Sequence, residues 1–235
     1  PGSKFAKNPA MAAHGFTFMM PFTYLATKGC YLWLTDASLA NLGVADRQFG
    51  PHAGAAWMVA TMIGAQLFDI PSSLLIGGAL ASPTFVAHHV VVLWLGVMAL
   101  RYRFALYYAV YFFGVIELST PLLAFVDLFR DFPKFAAAFP ATQELCRVLF
   151  AVAFFTVRIV CWIPVSVDFW KVTLEILARR APPRGQLPLF VILVWLVVHA
   201  GLTLLQWHWG LMIAKAVYAM IIGDKSAREH EAKGA

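Results

Sequence analysis

Charge is scarce in this chain. Asp, Glu, Lys and Arg make up 13% of its residues, against about 25% in an ordinary soluble domain. Polar sequence between the apolar runs is also short, so the 235 residues leave room for one membrane domain, 1–235, and no soluble one. Dense Lys/Arg runs and RNA-binding signatures are absent. The net charge of +6 therefore points to anionic lipid head groups and away from nucleic acid. Cysteine is limited to Cys30, Cys146 and Cys161, odd in number and without CxxC spacing. That excludes a disulfide framework or a cysteine metal site and leaves apolar thiols. No internal repeat, low-complexity segment or secretory signal is visible. The chain starts Pro-Gly-Ser-Lys without an initiator Met, which reads as a processed or trimmed start, a removed organellar transit peptide being one form of it.

What the chain has instead is apolar length. Hydrophobic residues are 61% of it and the mean hydropathy is +0.73. A helix needs about 20 apolar residues to cross a bilayer. Six runs meet or approach that: 10–34, 52–78, 84–100, 104–128, 145–169 and 187–222. The expected fold is an all-α, polytopic membrane bundle of about six helices, with an N-terminal arm (1–9) and a polar C-terminal tail (224–235). Ala81-Ser82-Pro83 is too short to be more than a turn, so the second and third runs are antiparallel neighbours. The segment 127–144 carries Pro133 and Pro140 and has room for a surface helix. The last run exceeds one upright crossing, so it bends or leaves the bilayer near the Trp207-His208-Trp209 belt.

Within these runs lie Asp69, His88, His89, Glu117 and Arg158. An ionisable group at membrane depth costs about 2.5–3.5 kcal/mol on insertion scales. Such groups pair inside the protein or mark a site. Asp69 precedes Pro71, which frees a carbonyl near Leu67. Its carboxylate is satisfied locally, or by Arg158, or serves a ligand or a proton. Adjacent helix residues point about 100° apart, so His88 and His89 do not share one metal, and no metal site is expected. Glu117-Leu118-Ser119-Thr120-Pro121 interrupts the fourth run, where a helix opens and a polar pocket can form. Arg158 requires a counter-ion, Glu117 or Asp69.

The ordered set of Asp69, His88-His89, Glu117 to Pro121, Phe132-Pro133-Lys134 and Phe155-Thr156-Val157-Arg158-Ile159 resembles the TLC-domain family, which includes the ceramide synthases. Ala13-His14-Gly15 resembles that family's early His-Ala element. Trp209 and Lys215 resemble its ending, so the likeness spans nearly the whole chain. Two departures shape what it implies. A hydrophobic span usually precedes the His-Ala element, and here only about a dozen residues do, as if the first helix were lacking. The stretch aligned with the ceramide synthases' second His-Asp element reads Val115-Ile116-Glu117-Leu118-Ser119, without that His or its paired Asp. An acyl transferase using His as a base would lack its partners.

The resemblance thus implies the non-ceramide-synthase branch: a protein without catalysis that binds or organises lipid, a phospholipid among the candidates, with no other cofactor. It implies the endoplasmic reticulum. Two rivals stand beside it. One is an accessory subunit of a large organellar complex, in the mitochondrial inner membrane, touching its neighbours through both ends. The other is an acyl-CoA-dependent transferase. Spans two to five are expected to surround a polar pocket near one membrane face, lined by Asp69, His88 or His89, Glu117 and Ser119, with Arg158 behind. Asp69 stands about 12 residues before the 81–83 turn and His88 about 5 after it, so roughly 18 and 8 Å from it. The histidines are therefore expected beside Glu117, with Asp69 deeper.

Overall fold

The computed structural model describes residues 9–39, 42–178 and 187–221, and among them it is all helix and turn. The long elements are α1 (Pro9–Thr35), α3 (Ala53–Ile76), α4 (Pro83–Tyr102) and α10 (Leu189–Ile221), with a short α2 (Val44–Phe49) between the first two. The fourth crossing is split into α5 (Leu106–Phe112) and α6 (Ser119–Asp131), joined through a 3-10 turn at Val115–Leu118. After a short α7 (Pro133–Ala138), the fifth crossing runs as α8 (Pro140–Phe154), a π-helical turn (Phe155–Val160) and α9 (Trp162–Ala178).

Five stretches are long and apolar enough to cross a membrane: 44–76, 83–102, 106–131, 140–178 and 189–220. The remaining expected crossing is α1. Its 27 residues reach about 40 Å, ample for a bilayer. Its outward surface, however, carries Thr17, Thr23, Thr27 and Thr35, and their hydroxyls each bond the carbonyl four residues back. These residues, with Lys28, lower its hydropathy below that of the other five. The last run is not interrupted at the Trp belt: α10 is one continuous helix of 33 residues. It has no interior proline to break it, and at about 50 Å it outruns a 30 Å hydrocarbon core.

Local chemistry sets the boundaries. Gly77, at φ 77°, ends α3, a left-handed backbone that glycine adopts without strain. A 3-10 turn at Gly78–Ala81 follows. Ser82 then caps α4 by accepting from the Phe85 N–H at 3.4 Å, with Pro83 at the first helical position. The break in the fourth crossing comes from close approach. A Cβ on Gly29 of α1 would lie 2.5 Å from Gly114 Cα, and one on Gly114 would lie 2.8 Å from Gly29 Cα. Only two glycines let these backbones meet, and the contact fixes α1 against the 3-10 turn that carries Glu117.

The π turn has a similar logic. A wider helical ring leaves a carbonyl without its usual donor. The Tyr111 hydroxyl donates to Val157 O at 2.6 Å across the interface. Tyr111 is in turn packed edge-on to Trp33 of α1. The core lies where α1, α3, α4, α5 and α9 converge, with Leu25, Met58, Tyr108 and Phe169 fully buried. One of its polar members is bonded through both ring nitrogens. The buried His199 accepts from Trp170 Nε1 at 3.0 Å through Nδ1. Nε2 then carries its proton and faces Ser166 Oγ at 3.2 Å. The three cysteines are free and half-buried.

Candidate functional site

Two polar clusters lie within the bundle, and a cleft runs beside them. The first cluster centres on Asp69, which is fully buried. Its Oδ1 accepts from His14 Nε2 at 2.8 Å and from Ser73 Oγ at 3.2 Å. His89 Nδ1 lies 2.9 Å from Oδ2 and 2.5 Å from Gln66 Oε1. That single N–H is aimed at the amide, so Oδ2 is held by proximity and charge rather than by a well-directed hydrogen bond. His14 stacks on Phe18 and Phe68, with ring centroids 5.7 and 5.8 Å away, and His89 packs on Phe85 at 4.1 Å. Helices α1, α3 and α4 are thus tied by one carboxylate and two imidazoles.

The second cluster centres on Arg158 in the π turn. Its Nε donates to Ser119 Oγ at 2.8 Å, and its Nη2 to Glu117 Oε2 at 3.2 Å and Thr120 Oγ1 at 3.1 Å. Thr120 also donates to Glu117 Oε2 at 2.5 Å. Glu117 and Arg158 are both buried, and their charges cancel inside the bundle. Of the two counter-ions expected for Arg158, the structure selects Glu117. Asp69 instead faces histidines from two other helices.

His88 belongs to neither cluster. It sits edge-on to Trp209 of α10 and to His89, at 6.0 and 5.3 Å. Its Nδ1 is buried without a hydrogen-bond partner among the described residues.

The expected grouping of both histidines with Glu117, away from a deeper Asp69, is therefore corrected. The error lay in the turn. α3 ends at Ile76 and α4 begins at Pro83, while the residues between them coil without adding depth. Counted from the true ends, Asp69 and His89 both lie about 10 Å in, and they meet. The adjacent histidines do diverge, one toward Asp69 and one toward α10.

The cleft, about 350 Å³, is bounded by His14 to Met19 of α1, Leu80, Phe85, and one face of α6 from Thr120 to Asp131. This cleft is not the pocket expected inside spans two to five. Span one forms a wall, span five does not, and Asp69, His88, His89, Glu117, Ser119 and Arg158 all lie outside its lining. Each cluster reaches it through one residue, His14 from the first and Thr120 from the second. Its walls are mostly apolar, with Phe16, Phe18, Leu123 and Phe125. Its mouth is charged: Arg130 pairs with Asp127 at 2.8 Å and lies 3.4 Å from Asp131.

Two side chains of the first cluster escaped the sequence reading. His14 appeared only as part of a family likeness. The signal for it was an imidazole at membrane depth and a buried carboxylate, Asp69, in need of a donor. Gln66, one turn before Asp69, is the other, and its i, i+3 spacing to Asp69 was the cue. Arg47 of α2 also forms an ion pair, with both carboxylate oxygens of Asp168 at 2.7 and 2.8 Å, at the other end of the bundle.

Among the described residues no group of three or more His, Cys, Asp or Glu is arranged to hold a metal ion. The end segments expected to meet partner subunits, 1–9 and 224–235, lie outside the described residues except for Pro9.

Compared with known protein families, residues 5–215 match the TLC domain model. No curated protein and no solved structure matches the chain.

Proposed function

The chain belongs to the TLC-domain family, and on that premise we propose that it binds membrane lipid in the cleft between α1 and α6 without transforming it. One observation carries the reading. A volume of about 350 Å³ with apolar walls and a few polar groups has the size and lining of a small-molecule site. It lies beside α6, at the side of a helical bundle that is itself an integral membrane protein. Phe16 and Phe125 leave their rings more than a third exposed, so an acyl chain has apolar surface to lie along.

Absence of turnover is supported by the 3-10 turn at Val115–Leu118. Its one acid, Glu117, is engaged by Arg158 and Thr120. An acid held by a fixed cation and a hydroxyl is poorly placed to move protons.

The test is a cleft-filling variant. Ala124 lines the cleft from α6, and Ala124→Trp places an indole in that space. Lipid co-purifying with the protein, counted by mass spectrometry after detergent exchange, should fall from near one per chain to background. Retention of the same lipid by Ala124→Trp would sink the reading.

A second reading has one observation in its favour. His14, polarised by Asp69, stands on the cleft wall as a general base would. Incubation with acyl donors and lipid alcohols in proteoliposomes separates the two, since binding alone returns the probes unchanged.

A further inference from the structure

The cleft wall holds one polar group whose bonding is incomplete. His14 is 6% exposed and lines the cleft. Its Nε2 is committed to Asp69. Among the described residues its Nδ1 has no hydrogen-bond partner. The ring is fixed on two sides by Phe18 and Phe68, so it cannot swing to satisfy Nδ1 elsewhere.

The hydrogen bond behind it sets the role of this nitrogen. An imidazole that donates through Nε2 carries, in its neutral form, a lone pair on Nδ1. At His14, Nε2 faces Asp69 Oδ1 at 2.8 Å, which leaves Nδ1 as the acceptor.

From this we infer that the cleft selects a neutral lipid bearing a free hydroxyl, whose O–H donates to His14 Nδ1. The inference rests on the lipid-binding reading above and sharpens it. A charged ammonium is a poorer fit here, because the walls around His14 are apolar and an ion there loses its hydration. The charged groups of the mouth, Arg130 with Asp127 and Asp131, already satisfy one another. Asp69 acts at one remove. It fixes which nitrogen of His14 bears the proton and so turns the ring into an acceptor.

The experiment compares oleyl alcohol with oleyl methyl ether, two probes of nearly equal chain and volume that differ in one donor. Equilibrium binding of each is measured to the full chain in nanodiscs. The wild type should bind the alcohol about tenfold more tightly, the ratio expected of one hydrogen bond to a buried acceptor. His14→Phe keeps an aromatic ring between Phe18 and Phe68 but offers no acceptor, and it should bind both probes alike. Equal binding of the two probes by the wild type would overturn the inference and leave the lipid site standing. Failure of the wild type to bind either probe, with no difference from Ala124→Trp, would overturn the site and the inference together. The wild-type comparison decides even if His14→Phe folds poorly.

Discussion

Replacing Arg158 by Met should destabilise the bundle far more than replacing Arg158 and Glu117 together. Arg158 makes three charge-assisted hydrogen bonds, to Ser119, Glu117 and Thr120. Alone, Arg158→Met strands a buried carboxylate whose remaining donor among the described residues is Thr120. Removing one partner of a buried pair costs about 3–5 kcal/mol. In Arg158→Met with Glu117→Gln, no charge is stranded. The residual cost is that of lost hydrogen bonds to two hydroxyls, about 1–2 kcal/mol. The double variant should therefore be about 2–3 kcal/mol more stable than the single one. Equilibrium unfolding of the purified protein in mixed micelles, followed by tryptophan fluorescence, reads the difference. A double variant as unstable as the sum of the two singles would refute the coupling and with it the view that this pair is a neutralised structural unit.

Other substitutions probe the frame around the cleft. Gly29→Ala should lower stability by about 1–3 kcal/mol, the cost of overpacking, because its methyl meets the Gly114 backbone at 2.5 Å. Gly64→Ala, with nothing within 4 Å of its Cβ, should be neutral or stabilising by up to about 1 kcal/mol, and thermal unfolding separates the two. Tyr111→Phe removes the donor to Val157 O and should cost about 1 kcal/mol, with faster hydrogen exchange confined to the 155–160 turn. Arg47→Leu should cost no more than about 1 kcal/mol, since Arg47 and Asp168 are 31% and 36% exposed. A loss as large as that of Arg158→Met would contradict the claim that burial is what makes an ion pair in this bundle costly to break.

Much of this architecture was legible in composition and apolar periodicity. Run lengths gave five of the crossings directly, and Pro121 with Glu117 marked where the fourth one breaks. The need of Arg158 for a carboxylate already pointed to Glu117 as one of two candidates. What sequence could not supply was three-dimensional register. The apolar run reads on to 78 with its turn at 81–83, yet two left-handed glycines, Gly77 and Gly78, follow the end of α3 at Ile76. That shift of one to two turns moved Asp69 level with His89. The partner of Asp69 came from α1, fifty-five positions away, and no local spacing encodes that pairing. The contact of Gly29 with Gly114 is of the same kind. Each glycine alone reads as a weak helix former, and only their juxtaposition explains them.

The central claim is that lipid occupies the space between α1 and α6. A bifunctional fatty acid with a mid-chain diazirine, photolysed in proteoliposomes and mapped by peptide mass spectrometry, tests it most directly. The account predicts labels concentrated on Phe16, Leu123 and Phe125, competed by excess unlabelled lipid and lost in Ala124→Trp. Labels spread evenly over the outward faces, such as Leu75, Val197 and Leu204, with no competition and no effect of Ala124→Trp, would contradict it.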